Sequence, residues 1–120
     1  MHKILVVDDQ QDILFMIKTI LAKKGFKVET DLTGNLVEHL NKDNFPDLII
    51  LDINLGNKDG GIICRDLKSS ESTKHIPIIM VSSDLNLLNI SKTCGAEDFL
   101  AKPFKSKELV YKVLSCLRAA

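Results

Sequence analysis

Leu48-Ile49-Ile50-Leu51-Asp52 is an apolar run closed by a carboxylate. Its residues are continuously apolar rather than alternating, which fits a parallel strand covered on both faces. The pattern recurs along the chain. Ile4-Leu5-Val6-Val7 runs into Asp8-Asp9, Ile78-Ile79-Met80-Val81 into Ser82-Ser83, and Asp98-Phe99-Leu100-Ala101 into Lys102-Pro103. Each segment delivers carboxylates, a hydroxyl or an ammonium where a buried strand would stop, so the polar residues converge on one edge of one sheet.

Around these runs the sequence predicts strands at Lys3–Val7, Lys27–Asp31, Leu48–Asp52, Ile78–Val81 and Asp98–Ala101. Helices are expected over Gln11–Lys24, Gly34–Lys42, Gly60–Ser69, Leu85–Cys94 and Ser106–Arg118. In the first helix Ile13, Met16, Ile17, Ile20 and Leu21 fall on one face, and Gly25 stops it. In the last, Leu109, Val110, Val113, Leu114 and Leu117 form the inward stripe. Strict alternation of strand and helix with short links gives an α/β fold, a doubly wound five-stranded parallel sheet of (βα)5 form. Ligands in such sheets sit beyond the carboxyl ends of the strands, where all the named polar residues lie. At 120 residues the chain is expected to be one domain, 1–120, with no linker or repeat and nothing that would build a second domain.

A hydrophobic content of 45% with 27% charged residues is that of a globular protein. Sixteen basic and sixteen acidic residues cancel and form no basic stripe, which removes the usual driver of direct nucleic-acid binding. Cys64, Cys94 and Cys116 are odd in number and lack metal-ligand spacing, as expected of small apolar fillers in a reducing, cytoplasmic compartment. No apolar stretch approaches the ~20 residues of a membrane span. His2, His39 and His75 are scattered and have no assigned role. Met1 reads as the start, and Met16 and Met80 as core.

Bringing Asp8, Asp9 and Asp52 together without a counter-ion would be costly, because neighbouring carboxylates raise one another's pKa. Mg²⁺ resolves this, being a hard cation held by one or two carboxylates, water and phosphate oxygens. Asp52 then serves as ligand and as nucleophile toward phosphorus, giving an aspartyl phosphate. Lys102 neutralises one phosphoryl oxygen and Ser82 donates a hydrogen bond to another. Any one of these residues alone would be an ordinary loop residue; their joint placement at four strand ends carries the reading.

The stretches Ile4–Asp9, Leu48–Leu55, Pro77–Ser83 and Gly95–Phe104 closely resemble the receiver domain of bacterial two-component response regulators, from the first strand to the last helix. The resemblance implies the flavodoxin-like strand order 2-1-3-4-5. It implies that Asp52 is the phosphoacceptor and that Asp9, with Asp8 through water, and the backbone carbonyl of Asn54 hold the metal. Ser82 matches the switch hydroxyl and Phe99 the aromatic switch. Lys102 matches the family lysine, followed by a peptide bond to Pro103 that is usually cis. Asn54 and Asp84 match positions that modulate phosphoryl lifetime. Three departures stand out. Gly56 replaces a usual proline and is expected to free the loop after Asp52, Phe99 lacks a tyrosine hydroxyl, and Lys105 occupies a helix N-cap, leaving Ser106 as substitute.

Beside the first helix's inward stripe sit Leu14 and Phe15, expected to form a docking patch for the histidine donor. Leu85, Leu87, Leu88 and Ile90 cannot all face one core, so Leu85 and Ile90 are expected to meet an output partner, a second copy or their own neighbours. The implied function is a phosphorylation-controlled switch, not an enzyme in its own right. It accepts a phosphoryl group from a histidine kinase or histidine phosphotransfer protein onto Asp52 and signals by contact with a downstream protein. The alternatives are an intermediate phosphorelay carrier and an unphosphorylated interaction module. Oligomeric state is left between a monomer and a dimer formed on phosphorylation. A Mg²⁺-dependent phosphatase is disfavoured because Asn54, not an acid, stands two residues after Asp52. A flavin domain is disfavoured by the acidic pair where a phosphate loop would lie.

Overall fold

The computed structural model describes residues 2–119; Met1 and Ala120 lie outside them. The elements are β1 (Lys3–Val7), α1 (Gln11–Lys23), β2 (Lys27–Asp31), α2 (Asn35–Glu38), β3 (Leu48–Asp52), β4 (Asn54–Leu55), β5 (Lys58–Asp59), α3 (Gly60–Ser69), β6 (Ile78–Ser82), α4 (Leu87–Cys94), β7 (Asp98–Ala101) and α5 (Ser106–Ala119). Five strands form one parallel sheet in the order β2-β1-β3-β6-β7. Numbered without the small β4-β5 ribbon, this is the expected order 2-1-3-4-5.

Strand alternation divides the core. Leu5, Val7, Ile49, Leu51, Ile78 and Met80 face a layer closed by Val37 of α2, Ile63 and Cys64 of α3, and Leu87 and Cys94 of α4. Ile4, Val6, Leu48, Ile50, Ile79 and Val81 face the opposite layer, closed by α1 and α5. Burial on both faces is why these strands read as unbroken apolar runs.

The docked helices correct several sequence expectations. On α1 the buried residues are Leu14, Ile17 and Leu21, while Met16 is 37% exposed. Ile13 through Ile17 are all apolar, so period alone could not fix which face turns inward; packing against the sheet did. On α5 Cys116 takes a buried place, and Leu114 lies at the surface. The second helix is a single turn, Asn35–Glu38, instead of Gly34–Lys42. The buried Asp31 carboxylate accepts N–H bonds from Gly34 and Val37, starting the turn. Asn41 and Asn44 then cap a separate 3-10 turn, Lys42–Asn44, through each other's backbone.

The fourth helix begins at Leu87, two residues later than expected, because the Asp84 carboxylate takes the Asn86 N–H and the Asp84 carbonyl takes that of Leu87. At α5, Lys105 rather than Ser106 precedes the helix; its N–H donates to Glu108 Oε1 at 3.4 Å, one half of a capping box. Gly56 does not free its loop. With Asn57 it closes the antiparallel β4-β5 ribbon, in which Leu55 pairs with Lys58. Its φ of +68° lies in the region a two-residue hairpin turn requires and proline cannot enter.

Candidate functional site

The site lies beyond the carboxyl ends of β1, β3, β6 and β7. Side chains at the ends of adjacent parallel strands emerge together, which brings Lys102 against Asp8 and Gln10, residues from opposite ends of the chain. Asp8, Asp9 and Asp52 each bring a carboxylate oxygen within 4.8 Å of the others. Asp8 and Asp52 are buried, whereas Asp9 is exposed. Lys102 Nζ spans the two buried acids, 2.9 Å from Asp8 Oδ2 and 2.9 Å from Asp52 Oδ2. The Asn54 N–H donates to Asp52 Oδ1 at 3.1 Å, fixing the other carboxylate oxygen.

Burial pushes the pKa of Asp52 up; the Lys102 hydrogen bond opposes this, the Asp8 charge reinforces it, and the net direction is upward. Burial pulls Lys102 down, but its bonds to Asp8 and Asp52 outweigh that and leave it above the ordinary lysine range. The ammonium therefore stays charged as the counter-ion of two acids. An oxygen-only donor set with excess negative charge, open on the exposed Asp9 side, fits a hard divalent cation.

A cleft of about 230 Å³ opens here, lined by Asp9, Gln10, Asp52, Asn54, Ser82 and Lys102 among others. The buried Ser82 Oγ accepts the Asp84 N–H at 3.0 Å, and the Ser82 carbonyl accepts the Lys102 N–H at 2.9 Å. Asp84 itself is exposed. Phe99 pairs with Met80 in the sheet, is half-buried, and packs on the α2-α3-α4 layer. Lys112 Nζ lies 5.0 Å from its ring centroid and 3.0 Å from Asp98 Oδ1. The Lys102–Pro103 bond is cis.

Of the expected docking residues, Phe15 is 72% exposed and Leu85 fully so. Leu14 does not share that surface. It is 5% exposed and packs in the layer between α1 and the sheet, for the reason of helix orientation given above. Ile90 is half-buried against the α3-α4 layer.

Two residues escaped the sequence reading. Gln10, directly after the acid pair, lines the cleft and accepts a bond from Lys102 Nζ at 3.2 Å. Gly60 opens α3 where the chain crosses the end of β3, its N–H donating to the Ile53 carbonyl at 2.7 Å. A Cβ there would lie 2.0 Å from the Asp52 carbonyl oxygen, so only glycine lets α3 start this close to the acidic site. The Asp59-Gly60 pair was the available signal: Asp59 caps α3 by accepting the Gly61 and Ile62 N–H groups.

A doubly wound sheet bearing three acids, a lysine and a hydroxyl at its carboxyl edge defines the class, and the comparisons agree. The chain belongs to the response regulator receiver domain family, which it matches over residues 4–114. Members are phosphorylation-controlled signalling domains of two-component systems, switches rather than conventional enzymes; they receive phosphoryl groups from histidine kinases and act on downstream targets. The chain is similar to the transcriptional regulatory protein GltR of Pseudomonas aeruginosa, 36% identical over 121 residues, covering 99% of this chain and 50% of that protein. It is also similar to the phosphate regulon transcriptional regulatory protein PhoB of Rhizobium meliloti, 34% identical over 120 residues, covering 98% and 53%. The chain thus spans about half the length of these curated relatives. Among solved structures, the signal receiver domain of a signal transduction histidine kinase from Syntrophus aciditrophicus superposes with a TM-score of 0.90 at 32% identity, covering 100% of this chain and 92% of that one. Among the described residues no helix is long and apolar enough to cross a membrane.

Proposed function

We propose that this chain accepts a phosphoryl group onto Asp52 from a phosphohistidine of a kinase or phosphotransfer protein, with Mg²⁺, and passes the signal by contact with a downstream protein. The observation that carries this reading is the buried Asp52 carboxylate, held by Lys102 and the Asn54 N–H beside two further acids.

In the transfer, the donor's P–N bond breaks and a bond forms from phosphorus to an Asp52 oxygen. The imidazole leaves neutral, protonated at its other nitrogen. Asp9 and Asp52 would hold the cation directly, Asp8 through water, with the Asn54 carbonyl completing the protein ligands. When bound, Mg²⁺ offsets the negative charge of the acids and of the arriving phosphoryl oxygens. The chain's own residues do the rest. Asn54 N–H keeps the Asp52 carboxylate oriented, and Lys102 exchanges its Asp52 oxygen for a phosphoryl oxygen.

Ser82 releases the Asp84 N–H and turns its hydroxyl to another phosphoryl oxygen, and Phe99 follows, biasing a two-state equilibrium that reshapes the α4 face. Phe15, exposed on α1, the helix that follows the acid pair, docks the donor; Leu85 and the half-buried Ile90 serve the output side. The three cysteines are free and buried, in keeping with a cytoplasmic setting. Incubation with acetyl phosphate and Mg²⁺, followed by intact mass, tests the assignment. Wild type should gain one phosphoryl group only with Mg²⁺, and Asp52→Asn none; labelling of the variant at the wild-type rate would refute it.

A further inference from the structure

Gln10 is the residue from which α1 starts, yet its side chain makes no capping bond to the first turn. It is tied to the site at both ends instead. Its backbone N–H donates to Asp8 Oδ1 at 2.9 Å, and its Oε1 accepts from Lys102 Nζ at 3.2 Å. Asp8 Oδ2 holds the same ammonium at 2.9 Å, closing a ring of three residues from the first and last strand ends. Lys102 thus rests on three side chains, Asp8, Asp52 and Gln10, and only the Gln10 oxygen is uncharged.

We infer that Gln10 is a positioning residue for phosphoryl transfer, a neutral tether that keeps the Lys102 ammonium over the cleft while it exchanges Asp52 for a phosphoryl oxygen. The reason is electrostatic. During the exchange the ammonium loses one carboxylate partner as an anionic group arrives. A neutral carbonyl preserves a hydrogen bond without adding charge that would repel that group. A carboxylate in the same place would grip the ammonium and oppose the phosphoryl oxygens; an apolar or shorter side chain would leave it held by Asp8 alone once Asp52 lets go. The inference rests on the phosphoacceptor reading of Asp52.

The test compares the full chain with Gln10→Ala, Gln10→Ser and Gln10→Glu, using acetyl phosphate as donor. In this reaction the donor's acyl P–O bond breaks, the Asp52–phosphorus bond forms, and acetate leaves. Initial labelling rates are read against donor and Mg²⁺ concentration, and Tm is read in EDTA. Gln10→Ala and Gln10→Ser should lower the maximal rate about five-fold, as for one lost hydrogen bond, with Mg²⁺ half-saturation moved less than about two-fold. Gln10→Glu should lower it by more than roughly ten-fold. Serine is the better helix cap, so Gln10→Ser should raise Tm while losing rate, a split that a merely structural role would not produce. Rates of the Ala and Ser variants within about two-fold of wild type, or a Glu variant as fast as wild type, would overturn the inference. If wild type itself fails to label, the phosphoacceptor reading falls and this one with it; if wild type labels and the variants match it, this one falls alone.

Discussion

Gly60→Ala places a methyl group 2.0 Å from the Asp52 carbonyl oxygen and 2.9 Å from both the Asp52 carbonyl carbon and Ile53 Cα. All three atoms are backbone, so no side chain can move aside. Relief requires the end of β3 or the start of α3 to shift by about an ångström, given that Cβ contacts below 3.0 Å essentially never occur. Overpacking of this kind costs 1–3 kcal/mol, and the Gly60 N–H bond to Ile53 adds about 1 kcal/mol when it is strained open. At about 2.1 cal/mol/K of unfolding entropy per residue, the chain loses roughly 4 °C of Tm per kcal/mol, so Gly60→Ala should melt about 10 °C below wild type. Gly25→Ala is the control. Its φ of +91° carries backbone strain, but a Cβ there meets nothing within 4 Å, so it should cost about 1 kcal/mol, or some 4 °C. Thermal melts by circular dichroism in the same buffer decide the matter. If Gly60→Ala melts within about 3 °C of wild type, or above Gly25→Ala, the close crossing over Asp52 is not what fixes glycine at this position. Labelling by acetyl phosphate should fall in Gly60→Ala and stay intact in Gly25→Ala, because only the first shift moves the Asp52 carboxylate off the Asn54 N–H.

Gly56→Pro should lower Tm by about 4 °C or more, since φ of +68° excludes proline; a rise in Tm would refute the hairpin turn. Asp52 has a raised pKa, so its ionised form is less stable in the folded than in the unfolded chain, a penalty absent at low pH that appears as pH rises through the folded pKa. In EDTA, Asp52→Asn should therefore gain Tm over wild type on going from pH 4 to pH 7, and Mg²⁺ at pH 7 should narrow the gap by stabilising wild type alone; a pH-independent difference would contradict this. Phe15→Ala should slow transfer from a histidine donor about ten-fold while leaving acetyl phosphate labelling unchanged; equal effects on both donors would end its docking role.

Local pattern is enough to place the sheet and the polar residues along its edge. Strands covered on both faces must be apolar throughout, so β1, β3 and β6 announce themselves without any partner in view, and the polar residue that ends each marks the ligand edge. Asp8, Asp9, Asp52, Ser82 and Lys102 were legible for that reason. Tertiary structure decided what local pattern leaves degenerate. The five consecutive apolar residues Ile13–Ile17 offer more than one face, and only docking on the sheet buried Leu14 and turned Phe15 and Met16 outward. The length of α2 depended on the buried carboxylate of Asp31, and the bend at Gly56 on a two-stranded ribbon, neither of which has a periodic signature. Gln10 and Gly60 matter through distances to Lys102 and to the Asp52 backbone. Contacts between residues far apart in the chain exist only once parallel strands lie side by side, which is why no local reading of the sequence reaches them.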